Sequence, residues 1–205
     1  MEKRYIIGID QSTQGTKALL FDGVGHLLRR TDLPHRQIVN EKGWVSHDLN
    51  EIYRNTVQTV KTLVAESGVA PETIAGIGIS NQRETTAIWD KATGEPLEEA
   101  IVWQCGRASG IAQEIAEQGH AEEIREATGL QLSAYFPAAK MAWLLRNGGE
   151  ERQKRAADGK LCLGTIDSWL VYKLTGGKEY RTDYSNASRT QLFNIHNLKW
   201  DKEIC

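Results

Sequence analysis

The segment Tyr5-Ile6-Ile7-Gly8-Ile9-Asp10-Gln11-Ser12-Thr13-Gln14-Gly15-Thr16-Lys17-Ala18-Leu19-Leu20-Phe21-Asp22 decides the fold. Residues 5–10 are an apolar run that ends in an acid, and residues 17–22 are a second strand-like run. A third, 27–33, follows Gly23 and Gly25, which turn the chain. The connections are too short to hold crossover helices. The three strands are therefore neighbours in an antiparallel meander.

Beyond the meander the hydrophobic period changes. Asp48 is a good N-cap, and Glu51 stands three positions on, the spacing of a capping box. Leu49, Ile52, Tyr53, Thr56, Val57, Val60, Leu63 and Val64 keep a 3.6-residue period until Gly68 closes the helix. Residues 74–80 read as a buried strand, 85–89 as another, and 101–103 as a short one. Helices are expected over 109–118, 121–128 and 137–146, the last opened by Pro137. A strand over 161–165 leads into a helix capped by Thr165 or Asp167 that ends near Gly176 and Gly177. This alternation is α/β: a mixed sheet with an antiparallel three-strand start, flanked by helices.

Composition excludes several classes. The 205 residues carry 25 Lys plus Arg against 27 Asp plus Glu, a net charge of -2. Such a chain has no global field for nucleic acid or an anionic membrane. No apolar run approaches ~18 residues, so nothing reads as a membrane span, and the apolar run near Met1 is too short for a signal peptide. Cys105, Cys162 and Cys205 share no ligand spacing, and the five histidines give no ligand pattern. Reduced thiols in a cytoplasmic protein are the expectation. Self-association is left open.

Three segments could carry chemistry. The turn from Asp10 to Lys17 delivers an acid, small polar residues and a lysine. Its N–H groups and hydroxyls could meet phosphate oxygens, Asp10 could hold Mg²⁺, and Lys17 could reach phosphate as a point charge. An exposed hairpin is the plainer account of the same residues. The cluster Ser80-Asn81-Gln82-Arg83-Glu84-Thr85-Thr86 joins two strands. Arg83 donates and Glu84 accepts, which suits the hydroxyls of a neutral polyol. Adjacent strand residues point to opposite faces, so both can serve one ligand only where the backbone leaves the strand. An Arg–Glu surface pair is the competing account. Trp103 and Tyr135 could pack against a carbon skeleton, although core packing is the commoner role of an aromatic. The remaining tryptophans give no site signal. The RQKR run 152–155 reads as a solvated helix face. Asp167 and Asp183 could be catalytic, although helix capping and loop support are the commoner roles of such acids.

Taken together, these segments resemble the FGGY carbohydrate kinases, and within them the glycerol kinase branch. The resemblance rests on Gly8-Ile9-Asp10-Gln11-Ser12-Thr13, on Gly43-Trp44-Val45-Ser46-His47-Asp48, on residues 77–89 (IGISNQRETTAIW), on 135–147 (YFPAAKMAWLLRN), on 164–169 and on 182–190. It implies a ribonuclease H-like, actin-like ATPase fold and ATP-dependent phosphorylation of a polyol or sugar, with Mg²⁺. It implies that Asp10 stands near Mg²⁺ and that Thr13, Gln14, Gly15 and Lys17 meet ATP phosphates. Arg83, Glu84 and Tyr135 would bind the polyol, with Trp103 packing on its carbon chain. Ser12, Gln14, Gly15 and Lys17 depart from the glycerol branch and resemble the xylulose branch, and Gly106 replaces a common arginine. Residues 1–205 are then expected to be the N-terminal domain of a longer kinase, cut before its own end. The catalytic base and the C-terminal nucleotide-binding domain would lie outside them. A stand-alone polyol-binding module and an actin-like ATPase with a protein partner are the other readings.

Overall fold

Strict alternation in the first strands gives the opening sheet one buried face. A computed structural model of the chain describes residues 4–205. In chain order the elements begin with β1 (Tyr5–Gln11), β2 (Gly15–Phe21), β3 (Leu27–Pro34), β4 (Ile38–Val39), β5 (Val45–His47), α1 (Leu49–Ser67) and β6 (Ile74–Asn81). They continue with β7 (Thr86–Asp90), β8 (Ala100–Ile101), α2 (Ser109–Glu117), α3 (Ala121–Thr128), α4 (Pro137–Asn147), α5 (Gly149–Ala157) and β9 (Leu161–Thr165). Last come α6 (Ile166–Leu174), α7 (Tyr184–Ala187), β10 (Phe193–Asn194) and β11 (Lys199–Trp200). They fall into two compact units: the described residues of 1–37 with His47–Gln82, and Ile38–Ser46 with Arg83–Cys205.

In the first unit the sheet order is β3-β2-β1-β6. The meander is antiparallel as expected, and β6 joins β1 in parallel. Ile7, Ile9, Ala18 and Leu20 face one way and meet Leu63 of α1 in a buried cluster. Full burial of each large side chain contributes about 1.5–3 kcal/mol. Asp48 caps α1 by accepting from the Asn50 amide, and Gly68 closes it in the left-handed region. The capping box does not form. Glu51 instead accepts from the Arg36 amide at 3.2 Å, because the chain entering from β3 passes within reach.

Residues 74–80 differ from the expectation of a buried strand. β6 is a sheet edge, and Ile77 keeps 51% of its surface. An apolar run of this length reads as buried on both faces. Here Gly76 and Gly78 have no side chains to bury, and Ile74 and Ile79 are the residues that pack against the α1 core.

In the second unit a five-stranded sheet runs β4-β5-β8-β7-β9. β7 pairs antiparallel with β8 and β9, from Thr86↔Thr165 to Asp90↔Leu161 on the β9 side. No local pattern distinguishes strands after Asn81 that form a second sheet from strands that extend the first. The short expected strand 101–103 is β8, and Trp103 lies beyond it in a turn. The RQKR run is more than a solvated face. Arg152 reaches Glu98 at 3.0 Å and the Leu144 carbonyl, and Arg155 reaches Asp90 at 2.6 Å. Thr165 occupies the N-cap position of α6 without a capping bond, its hydroxyl donating to Asp167 instead. Asp167 also accepts from Thr182, and burial pushes its carboxyl upward against those two hydroxyl bonds. Asp183 caps α7 through the Asn186 amide.

Gly15 opens β2 opposite Pro34. A Cβ there would sit 2.6 Å from the Leu33 carbonyl oxygen and 3.0 Å from the Pro34 Cα. Backbone cannot yield as a flexible side chain does. Gly15→Ala should therefore destabilise the protein by about 1–3 kcal/mol in urea denaturation, the usual scale for overpacking. An unchanged midpoint would show that β3 does not cross there.

Candidate functional site

The phosphate candidate is the tip of the β1–β2 hairpin. Asp10 and Lys17 are register partners, and their side chains meet at 2.8 Å with both partly exposed. The Ser12 hydroxyl and amide both turn inward to the Gly15 carbonyl, so this hydroxyl braces the turn. Gln14 stands exposed at the tip. Among the described residues no group of three or more His, Cys, Asp or Glu side chains gathers into a metal-binding arrangement. A single accessible carboxylate at Asp10 fits a Mg²⁺ ion that takes its other ligands from water and phosphate.

Beneath this turn lies a buried polar layer that the sequence did not reveal. Gln82 Nε2 sits 3.1 Å from His47 Nδ1 and 3.5 Å from the Ser12 carbonyl, which also accepts from Gln11. His47 and His35 meet edge to face with centroids 4.6 Å apart, and the His35 amide donates to the Gln14 carbonyl. Burial, reinforced by His35, depresses His47 to about 4. Burial lowers His35 as well, so both rings are neutral at pH 7 and pack as support beneath the turn.

The acceptor candidate belongs to the second unit. The chain leaves β6 at Asn81 and enters β7 at Thr86, and between them Glu84 adopts φ 63°. That left-handed residue removes the difficulty of two neighbours pointing apart, because 83 and 84 are not in a strand. Glu84 is buried, and Arg189 donates to its carboxylate at 2.5 Å. Arg189 also lies 4.9 Å over the Phe136 ring. Arg83 is exposed and makes no ion pair among the described residues. Trp103 and Tyr135 pack together with centroids 5.6 Å apart, and the Trp103 amide donates to Thr85 Oγ1. Glu84, Trp103 and Tyr135 are thus drawn together by the fold, while Arg83, the residue before Glu84, is exposed.

Two residues here escaped sequence reading. Arg189 is 105 positions from Glu84, so no local pattern links them. Lys140 left a trace: a lone cation on the α4 face that also carries Pro137 and Leu144. Cys105 is buried and accepts from Arg107 Nε at 3.2 Å and from the Val45 amide. Burial pushes its thiol up, yet those donors bring it net below the usual thiol range.

Residues 5–205 match the FGGY family of carbohydrate kinases, N-terminal domain. The chain belongs to this family. It is 52% identical over 204 residues to a glycerol kinase of Ligilactobacillus salivarius, covering 100% of this chain and 40% of that protein. A glycerol kinase of Enterococcus casseliflavus is 50% identical over 203 residues, covering 99% of this chain and 40% of its own length. The chain thus spans about 40% of the length of the curated relatives it matches. Among solved structures, Plasmodium falciparum glycerol kinase with ADP superposes with a TM-score of 0.87 at 36% identity, covering 100% of this chain and 40% of that one. A ligand-bound xylulose kinase from Lactobacillus acidophilus gives 0.83 at 25% identity, covering 98% and 39%. The architecture of this FGGY chain is that of the actin-like ATPase fold. No helix of the described residues is long and apolar enough to cross a membrane.

The neutral His47 makes a pH prediction. Unfolded histidine binds its proton below about 6.5, and folded His47 below about 4. Between those values the unfolded state holds more protons, so stability should fall as pH drops from 6.5 toward 4. His47→Gln should flatten that slope in denaturation midpoints taken across the window, and an equal slope in both proteins would contradict the assignment.

Proposed function

We propose that residues 1–205 form the N-terminal domain of an ATP-dependent polyol kinase whose acceptor is glycerol. The gathering of Glu84, Trp103 and Tyr135 carries this reading. A buried carboxylate accepts from an acceptor hydroxyl, the neighbouring guanidinium of Arg83 donates to one, and an indole covers the carbon chain. The relatives support the same choice, since two glycerol kinases are about half identical to this chain along its length.

Phosphoryl transfer demands positioning and charge neutralisation more than covalent work by the protein. In this proposal Thr13, Gln14, Gly15 and Lys17 meet ATP phosphates. Asp10 would hold Mg²⁺, which neutralises charge on the transferring group. Breaking the Asp10–Lys17 pair would free both side chains for those roles. The base that takes the acceptor proton is assigned to sequence outside residues 1–205, as is adenosine binding. A cytoplasmic location belongs to the same proposal, supported by three unpaired cysteines.

A ketose such as xylulose is the second reading. It draws on the turn, where Ser12, Gln14, Gly15 and Lys17 depart from the glycerol branch, and on the likeness to a xylulose kinase structure. A panel of polyols and ketoses, assayed for ADP release by the intact protein, separates the two. With the preferred acceptor, Arg83→Ala should raise KM at least ~10-fold, the scale of one lost charge-assisted hydrogen bond, and leave the ATP KM in place. An unchanged acceptor KM means Arg83 does not touch the substrate.

A further inference from the structure

Lys140 is the one fully buried cation among the described residues. Its side chain lies on α4 with no exposed surface. Among the described residues no carboxylate forms an ion pair with it. A buried ammonium without a counter-charge is costly unless every donor is matched. Here the match is complete. Nζ donates to the Glu84 carbonyl at 3.3 Å, to the Trp103 carbonyl at 3.2 Å, and to the Tyr135 carbonyl. An ammonium has three N–H groups, and three carbonyls receive them.

Those three carbonyls belong to three residues of the acceptor cluster, carried on three separate segments: the turn before β7, the turn after β8, and the approach to α4. Glu84 is also the residue held at φ 63°, a left-handed backbone state unfavourable for a residue other than glycine. The Tyr135 ring lies 5.9 Å from the same nitrogen. Helix propensity and core packing explain none of this, since an apolar residue at position 140 would serve both better.

We propose that Lys140 is a positioning residue of the acceptor site, fixing the backbones of Glu84, Trp103 and Tyr135 through one shared ammonium without touching the acceptor. The inference deepens the polyol kinase reading and rests on it. Charge state is part of the device, because a neutral amine has two N–H groups and leaves one carbonyl unmatched. Burial depresses Lys140 to about 7; Cys105 and Glu84 favour its charged form and Arg107 opposes it. Glu84 faces the amine from the turn before β7, Cys105 and Arg107 from the segment after β8, and Tyr135 from the approach to α4.

A lysine depressed in this way gives opposite signs to two readouts. Between about 7 and its unfolded value near 10.4 the unfolded state holds more protons, so this group makes the fold more stable as pH rises. Acceptor binding should weaken over the same rise, as one carbonyl loses its donor. A lysine that only supports the fold would not separate the two.

The test uses the intact protein, with glycerol as the probe. Wild type should show glycerol KM rising from pH 6 to 8.5, together with a Trp103 indole NMR shift of the same midpoint near 7. Lys140→Met, which fills the space and donates nothing, should raise glycerol KM at least tenfold at pH 6.5, leave ATP KM in place, and abolish the Trp103 titration. A folded Lys140→Met with wild-type glycerol KM and an unaltered Trp103 titration overturns the proposal. If that variant does not fold, the wild-type profiles decide. A common midpoint supports the shared ammonium, and a flat Trp103 shift from pH 6 to 8.5 overturns it. If wild type ignores glycerol, the glycerol reading fails alone, and the Trp103 titration in wild type and variant still judges Lys140.

Discussion

A buried carboxylate on a left-handed residue is the constraint around which the second unit is arranged. Glu84 gives up hydration and a relaxed backbone together. Neither cost is small, since an unpaired charge in the interior is worth several kcal/mol. Two cations answer it from opposite ends. Arg189 takes the carboxylate, and Lys140 takes the carbonyl. Arg189 arrives from the segment after α7 and rests on Phe136, while Lys140 arrives from α4 and extends its grip to Trp103 and Tyr135. Removing any one of these groups leaves another buried polar group unmatched. That interdependence is how a fold makes a local geometry unique.

The candidate phosphate turn at the β1–β2 hairpin is built differently. A hairpin needs few residues, and here a neighbouring strand by itself requires the glycine. Gly15 faces the Leu33–Pro34 backbone too closely for any Cβ. Its presence therefore has a structural cause independent of phosphate, which weakens the argument that the glycine marks the xylulose branch. The polar layer of Gln11, His35, His47 and Gln82 serves the turn from below, holding the Ser12 and Gln14 carbonyls.

Legibility followed the range of the interactions. The meander was plain in the sequence because alternation, Gly23 and Gly25 are all local. The α1 helix was plain for the same reason, down to Asp48 and Gly68. The capping box failed because Arg36 competes for Glu51 from a distant segment. The exposure of β6 was illegible because an apolar run says nothing of which strands flank it. The second sheet stayed hidden since β7 pairs with β9 from Thr86↔Thr165 to Asp90↔Leu161, far apart in the chain. In the site, Trp103, Tyr135 and Glu84 were named from type and motif, whereas their contact, and the two cations that enforce it, depend on partners far along the chain.

The account stands on Glu84 being held for the acceptor and not merely for the fold. The most direct measurement is kcat/KM for glycerol in the intact protein carrying Glu84→Gln, which keeps the size of the side chain and removes its charge. The account predicts a fall of at least about 10-fold, the scale of losing a charge-assisted hydrogen bond, with the ATP KM and near-ultraviolet circular dichroism unchanged. A variant that folds alike and phosphorylates glycerol at the wild-type rate would contradict it.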